Sequence, residues 1–283
     1  MKTKTVYLTL CCTLLLGPVQ AMADITMGVF PRKPPAATFK AFSPLAKQLS
    51  AQLGEEVRLV VPKDFTEFWK GVAEKKFDIV HFNQYHYIKS HKEQGYKVIV
   101  ANEEFGDKKL VGTLAVRKDS GINQVKDLRG KTILFGGDQM AMGSYIAPTA
   151  ILKKAGLVEG KDYIVKFAKN PPSAVIGVYN KSSDAAGTGT VVMKIKAVTS
   201  KIEVNQVKLL GRSEPMTNLP WAVKHDMPAD KAGKIQKVMT TLKSTEAGKA
   251  ILKSAGVTDF YAVTDADYND VRKITEFAIG EKY

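Results

Sequence analysis

Short apolar runs alternate with amphipathic stretches in the first third of the chain. The run at 25 to 30 (ITMGVF) predicts a buried strand, because it is apolar almost throughout. Ser43 and Pro44 favour a helix that begins there, with the serine as its cap and the proline in its first turn. Apolar residues recur at helical spacing at Phe39, Phe42, Leu45, Leu49 and Leu53.

The alternation continues to residue 82. Strands are predicted at 57 to 61 (VRLVV) and 77 to 82 (FDIVHF). Between them, one face of a short helix carries Phe65, Phe68, Trp69 and Val72. This order predicts a parallel sheet with helices on both faces and with ligands at the carboxyl ends of its strands.

The same pattern restarts at residue 131 and predicts a second α/β domain. A helix is expected at 144 to 156, where Gly156 is suited to end it. Strands are expected at 131 to 136, 162 to 167, 184 to 188 and 207 to 211. The fold class is therefore α/β, with two domains.

Two segments are placed to cross between these domains, one at 110 to 118 and one at 219 to 224. Two crossings imply a hinge. The tail from Asp230 is mostly helical and has no sheet of its own, so we expect it to pack on the first domain. The predicted boundaries are 24 to 113 with 215 to 283 for the first domain, and 114 to 214 for the second.

The first 23 residues have the pattern of a cleavable secretory signal. Two lysines precede an apolar run at 6 to 16, and small residues at Ala21 and Ala23 suit a cleavage point after Ala23. Both cysteines, Cys11 and Cys12, lie inside the apolar run, so we expect no disulfide in the exported chain. No later segment approaches the ~20 apolar residues that a membrane span needs.

The chain is strongly basic, with a formal net charge of +14. Such a charge favours anionic partners in general. Its lysines and arginines are spread along the chain and form no dense run interleaved with aromatics, so nucleic-acid binding is not expected.

Signatures of common enzyme classes are absent from the sequence. It has no phosphate-binding P-loop, no dinucleotide fingerprint, no zinc-protease motif, no nucleophile elbow and no C-x-x-C pair. We therefore expect neither an enzyme nor a bound cofactor.

Five stretches, in this order and spacing, resemble periplasmic solute-binding proteins of ABC transporters, and within them the phosphate, phosphite and phosphonate type. These stretches are 42 to 61, 75 to 87, 125 to 137, 145 to 157 and 184 to 188. The resemblance implies the type II fold, a monomer in the periplasm, a small-molecule ligand and a permease of the inner membrane as partner.

The ligand loop of this chain differs from the family's usual one. That loop usually carries a Ser-Thr-Ser-Gly run, which binds an oxyanion at a helix N-terminus. Aligned on Tyr145, this chain has Ala141, Met142, Gly143 and Ser144 there, so most hydroxyls are missing. Phe65 stands where the family often has tyrosine.

Further family positions differ or are kept. Asn83-Gln84 replaces a Gly-Pro, and 169 to 171 replaces a usual histidine. Tyr87 and Asp184 match the family's pattern. The ligand-binding residues that we predict on this basis are Phe65, His86, Tyr87, Met142, Gly143, Ser144, Tyr145 and Asp184.

Two interpretations of the altered loop remain open. In one, the amides of Gly143 and Ser144 bind an anion, and Met140 and Met142 face an organic substituent. In the other, thioethers and imidazoles form a soft-metal site. Its members would be Met140, Met142, His81 and His86.

Each candidate also has an ordinary structural explanation. His81 lies inside a predicted strand, where a hydrogen-bonded core histidine is common. Asp184 suits a turn or helix cap, although a carboxylate in the cleft would favour a ligand that also carries a cation. Methionines more often fill gaps in a core than bind metal.

Three functions follow as hypotheses. The first is a binding protein that closes on a phosphate- or phosphonate-like ligand and delivers it to an importer. The second is a sensor that docks on a membrane histidine kinase. The third is an enzyme or metal carrier that uses Met and His.

Overall fold

The structure is a computed structural model and describes residues 25 to 283. The signal peptide and its cleavage point lie outside the described residues. The strands are β1 Ile25–Val29, β2 Val57–Val60, β3 Ile79–His81, β4 Lys97–Glu103, β5 Lys109–Leu110, β6 Gly112–Arg117, β7 Thr132–Gly136, β8 Ile164–Ala168, β9 Ala185–Gly189, β10 Val207–Leu210, β11 Met216–Thr217, β12 Pro220–Val223 and β13 Asp259–Ala262.

Helices surround these strands along the chain. The α-helices are α1 Pro35–Leu53, α2 Phe65–Ala73, α3 Gln84–Gln94, α4 Ala147–Lys154, α5 Pro171–Tyr179, α6 Lys196–Thr199, α7 Ala229–Thr240, α8 Glu246–Ala255 and α9 Asn269–Ile279. Within the described part of the chain, no helix is both long and apolar enough to cross a membrane.

The first domain is built on a six-stranded sheet in the order β13-β4-β12-β3-β1-β2. Strands β2 and β3 pair parallel with β1, as predicted. The prediction of a wholly parallel sheet is wrong, because β12 pairs antiparallel with both β3 and β4. It returns from the second domain and enters the sheet beside the carboxyl end of β3, so it runs in the opposite direction.

The second domain contains a five-stranded sheet in the order β10-β6-β9-β7-β8. Its centre is parallel, since β7 pairs parallel with β8 and β9. Strand β6, which brings the chain in from the first domain, is antiparallel to β9 and β10. The two-domain α/β architecture expected from the sequence is thus confirmed, with mixed sheets.

The two connections between the sheets pair with each other. Strands β5 and β11 form a separate two-stranded antiparallel ribbon, with Leu110 opposite Met216 and Lys109 opposite Thr217. The Lys109 Nζ also donates to the Thr217 hydroxyl at 2.9 Å. Both chain connections between the two sheets pass through this ribbon.

Helix α1 begins earlier than predicted. It starts at Pro35 and continues through Pro44, rather than starting at Ser43. Proline has no N–H to donate to the carbonyl four residues earlier, which costs stability inside a helix. Here that carbonyl, Lys40 O, accepts a hydrogen bond from the Ser254 hydroxyl of α8 at 3.3 Å. Tertiary packing therefore overrides the local signal for a helix start at Ser43 and Pro44.

The C-terminal tail packs on the first domain, as expected, and also reaches the second. Strand β13, which was not predicted, pairs with β4 and forms the edge of the first sheet. Helix α9 packs against α3 of the first domain and also against α4 of the second. Lys153 Nζ of α4 donates to the Phe277 main-chain oxygen of α9 at 2.8 Å. The tail therefore contacts both domains.

Candidate functional site

A cavity of about 240 Å³ lies between the two sheets. Its walls come from the segments that follow β1, β3, β7, β8 and β9, and from both connections between the domains. The sequence predicted ligands at the carboxyl ends of the strands, and the cavity lies at those ends. The residues that line it include Phe30, Arg32, Phe65, Asn83, Gln84, Glu104, Leu110, Asp138, Met142, Gly143, Ser144, Lys169, Thr188, Val192 and Leu219.

The altered loop reaches this cavity. Met142, Gly143 and Ser144 line it, and they belong to a π-helical turn, Met142–Ile146, that leads into α4. The Ala141 carbonyl accepts from the amides of Tyr145 at 2.8 Å and Ile146 at 3.2 Å. As the first two residues of the turn, Met142 and Gly143 have amides with no acceptor among residues 25 to 283. These two amides are suited to bind an anion.

Ser144 is less available than expected. Its hydroxyl donates to the Gly136 carbonyl at 2.6 Å, and its amide donates to the Ala141 carbonyl at 3.3 Å. Both donors are thus used within the loop. Ser144 therefore stabilises the loop, whereas the amides of Met142 and Gly143 remain available to a ligand.

Gly143 is held close to the connecting ribbon. A Cβ added at this position would lie 2.7 Å from Leu110 Cδ2. Real Cβ atoms do not approach other atoms so closely, so any larger residue would displace the leucine or the loop. Gly143 therefore lets the Leu110 side chain lie directly against the loop.

Phe65, the first residue of α2, also lines the cavity. Its ring lies 6.5 Å from the Phe30 ring and 5.5 Å from the His86 ring, measured between centroids. Asp64 caps this helix by accepting from the Glu67 amide at 2.9 Å. The cap fixes the start of the helix and therefore the direction of the phenylalanine.

His86 lies behind this wall rather than in the cavity. Its ring is fully buried, and its centroid lies 4.4 Å from the centroid of the Trp69 ring. Neither ring nitrogen has a hydrogen-bond partner in the described chain. Burial, with a smaller contribution from the Lys89 charge, lowers the pKa of His86 to about 3. The imidazole is therefore neutral and serves the aromatic core.

Tyr87 and Tyr145 lie apart from the cavity lining. The Tyr87 hydroxyl donates to Asp265 at 2.7 Å, within the first domain. The Tyr145 hydroxyl donates to Glu159 at 2.8 Å, within the second. Burial is the main cause that raises both phenol pKa values, with the hydrogen bonds to carboxylates acting in the same direction. Each phenol supports its own domain.

Asp184 lies at the other end of the β9 strand from the cavity. It immediately precedes β9, and its carboxylate accepts from the Thr132 amide at 2.8 Å, where β7 begins. This is the amino end of both parallel strands, whereas the cavity is at their carboxyl ends. The expectation that Asp184 selects a cationic group on the ligand has to be corrected.

The four residues of the soft-metal hypothesis have separate surroundings. The His81 ring stacks on Trp221 at 4.3 Å, and its Nδ1 lies 3.1 Å from the Pro220 oxygen. The Met142 sulfur accepts from the Thr275 hydroxyl at 3.8 Å. Over residues 25 to 283, no cluster of three or more His, Cys, Asp or Glu could hold a metal ion. The structure gives this hypothesis no common site.

Sequence reasoning missed Arg32. It follows β1 and lines the cavity, where its Nη2 donates to Glu104 Oε1 at 3.0 Å. Glu104 also accepts from Asn102 Nδ2 at 3.2 Å, and the guanidinium lies 5.8 Å from the Phe30 ring centroid. Arginine has five N–H donors, so this pair leaves several for a ligand. The signal was a basic residue directly after a predicted buried strand.

Gln84 was noted as a departure from the family but was not predicted to bind. It is the first residue of α3, it lines the cavity, and its buried Nε2 has no acceptor within residues 25 to 283. A buried donor without a partner costs about 1 to 3 kcal/mol. The helix N-terminus beside it favours negative charge. An acceptor oxygen on a ligand would satisfy this amide.

Asn83 joins the two sides of the cavity. Its Oδ1 caps α3 by accepting from the His86 amide at 2.8 Å. Its Nδ2 donates to the Met140 main-chain oxygen at 3.2 Å, which joins the first domain to the loop of the second beside the cavity. The same side chain therefore fixes a helix start and a contact between domains.

Comparison with known proteins gives the family. The family model described as "ABC transporter, phosphonate, periplasmic substrate-binding protein" matches residues 27–268. The phosphate-import protein PhnD of Mycolicibacterium smegmatis is 24% identical over 279 residues, which cover 91% of this chain and 87% of that protein. Methylphosphonate-bound PhnD1 of Prochlorococcus marinus shares the fold, with a TM-score of 0.76 and 18% identity, over 91% of this chain and 99% of that one.

A sensor protein is also similar. The tetrathionate sensor histidine kinase TtrS of Salmonella typhimurium is 28% identical over 199 residues, which cover 67% of this chain. Those residues span 33% of the kinase. The family model, in contrast, covers most of the present chain. The protein belongs to the family of phosphonate-type periplasmic substrate-binding proteins of ABC transporters.

Proposed function

We propose that this protein binds a small phosphate- or phosphonate-like anion in the cavity between its domains and delivers it to an ABC permease. Family membership and the names of its relatives support the class of ligand. The observation that carries the proposal is the meeting, in one cavity, of a guanidinium and a buried unpartnered amide. Both are donors suited to oxyanion oxygens.

The proposed contacts come from both domains. Arg32 and Gln84 belong to the first, and the amides of Met142 and Gly143 belong to the second. Phe65 and Met142 add apolar contacts from either side. A ligand that touches both domains stabilises the closed form by its difference in affinity for the closed and open forms. The ribbon of β5 and β11 is the proposed hinge.

Delivery requires that a permease distinguish the closed protein from the open one. We place this step in the periplasm, where the family acts, and propose a monomer whose signal is cleaved after Ala23. Catalysis has no part in this cycle, because binding, closure and release are enough. Intact mass of the protein recovered from the periplasm tests the cleavage point directly.

The experiment is isothermal titration of the exported protein with phosphate, phosphite, methylphosphonate and 2-aminoethylphosphonate. At least one should bind, and Arg32→Gln should weaken it by about 10- to 100-fold, as expected for a hydrogen bond to a charged group. The control is Arg58→Gln, an exposed arginine on β2, which should leave affinity unchanged. Absence of binding by all four anions would contradict the proposal.

The similarity to TtrS favours sensing as a second candidate function. In that case the closed protein would dock on the outer domain of a histidine kinase instead of a permease. Site-specific crosslinking in native membranes, followed by identification of the attached protein, separates the two. A permease subunit supports transport, and a kinase supports sensing.

A further inference from the structure

The cavity is apolar over much of its wall. We infer that its ligand is a phosphonate with an uncharged apolar substituent of several carbon atoms, rather than inorganic phosphate or an aminoalkylphosphonate. This inference rests on the proposed function. The residues that would contact the substituent are Phe30, Phe65, Leu110, Met142, Val192 and Leu219.

This apolar wall is continuous from the ribbon to the loop. The Leu110 side chain lies against Gly143 and Gly189, where added Cβ atoms would be 2.7 and 3.0 Å from its methyl carbons. The two glycines leave just the space that the leucine fills. Leu110 therefore determines how far the cavity extends toward the hinge.

Donors from Arg32, Gln84, Lys169 and the amides of Met142 and Gly143 occupy part of the cavity wall, and much of the rest of the wall is apolar. The Ser144 hydroxyl donates to Gly136 O at 2.6 Å, and the Thr188 hydroxyl lies 3.3 Å from Gly189 O. Oxyanion oxygens placed against the remaining apolar wall would lose water without gaining a hydrogen bond. A phosphonate replaces one such oxygen with carbon, and its substituent can cover that wall.

The carboxylates in the cavity are already engaged. Glu104 binds Arg32 and Asn102, and Asp138 Oδ1 accepts from the Met140 amide at 2.9 Å. Asp184, the residue expected to meet an ammonium group, lies at the amino ends of β7 and β9, away from the cavity. A cationic substituent would also meet the positive charges of Arg32 and Lys169 in the same cavity, so a substituent without a positive charge is favoured.

The cavity is also large for a five-atom anion. Its volume of about 240 Å³ is several times the ~30 Å³ that one water molecule occupies in the liquid. A phosphate alone would leave apolar surface in contact with trapped water. Additional methylene groups would displace that water and bury apolar area.

The test is titration of the exported protein with phosphate, methylphosphonate, 2-aminoethylphosphonate, butylphosphonate and phenylphosphonate. Butyl- or phenylphosphonate should bind about tenfold or more tightly than methylphosphonate, since each methylene in an apolar pocket contributes measurably. The aminoethyl compound should bind more weakly than either. Equal or tighter binding of phosphate would overturn the inference and leave the proposed function intact. Failure of all five would overturn both.

Leu110→Ala gives a second, independent result. Removing the side chain should lengthen the cavity toward the hinge, so that octylphosphonate gains affinity relative to butylphosphonate. Leu209→Ala, a half-buried leucine on β10 away from the cavity, is the control and should preserve the wild-type order. An unchanged order in the Leu110 variant, with a wild-type melting temperature, would overturn the assignment of this residue.

Discussion

Asn83 of the first domain donates from its Nδ2 to the main-chain oxygen of Met140 in the second domain, at a distance of 3.2 Å. The same side chain accepts the His86 amide at the start of α3. Closure of the domains and the start of one of the cavity's helices are therefore linked through a single residue. Substitutions at Asn83 can separate its contact between the domains from its role as the cap of α3.

Asn83→Ser retains a capping oxygen but has no amide to reach Met140. We expect its free energy of unfolding to stay close to wild type, because serine and asparagine cap helices equally well, whereas Asn83→Ala should lose about 1 kcal/mol. Small-angle scattering of the ligand-free serine variant should show a larger radius of gyration than wild type. Identical scattering would show that the Asn83 bond does not hold the domains together.

Arg32 and Glu104 are expected to depend on each other. Arg32→Met leaves a buried carboxylate without its cation, so we predict a loss of stability of a few kcal/mol. Adding Glu104→Gln to this variant should recover part of that loss without recovering ligand affinity. Chemical denaturation and titration calorimetry measure the two effects separately. A double variant no more stable than Arg32→Met would contradict the coupling.

Acid should destabilise the protein through its buried histidines. The folded-state pKa of His86 is about 3, and burial lowers that of His81 as well, both relative to an ordinary 6.5. The unfolded chain therefore binds more protons, and stability falls as pH drops below about 6.5, by up to ~1.4 kcal/mol per pH unit for each histidine. His86→Phe, which suits the aromatic surroundings, should reduce this slope by one histidine's share.

Denaturation at a series of pH values from 8 to 4 provides that measurement. Wild type and His86→Phe should differ in slope below pH 6.5 and run parallel near pH 8, where the histidine is neutral in both states. Equal slopes across the whole range would mean that the imidazole is accessible to water or gains a partner in the folded protein.

Gly143→Ala should be destabilising by about 1 to 3 kcal/mol, because the new methyl group would overlap the Leu110 side chain. Combining it with Leu110→Ala should relieve the overlap. Gly233→Ala in α7 is the matched control, since nothing lies within 4 Å of its added Cβ. That change should stabilise the helix by about 0.5 to 1 kcal/mol. Thermal melts of the four variants are sufficient.

Patterning alone predicted most elements of both sheets. The apolar runs at 25 to 30 and 131 to 136 gave β1 and β7, because strands buried on both faces are apolar throughout. Strand β13 and the early start of α1 were missed. Strand β13 depends on pairing with β4, and the course of α1 through Pro44 is supported by the hydrogen bond from Ser254 to Lys40. In both cases the contacting residues are far apart in the sequence.

The site was predicted less completely than the fold. Phe65, Met142, Gly143 and Ser144, which were assigned from family positions, line the cavity. Asp184 was assigned from family position, and it lies at the wrong end of its strand. Arg32 was missed because its role depends on the buried partner Glu104, which is 72 residues away.

A crystal structure of the exported protein grown with phenylphosphonate tests the central claim most directly. The account predicts phosphonate oxygens within hydrogen-bond distance of the Arg32 guanidinium and the Gln84 side-chain amide, with the ring against Phe65 and Leu110. A phosphonate bound elsewhere, or a cavity that holds only water at saturating ligand, would contradict it.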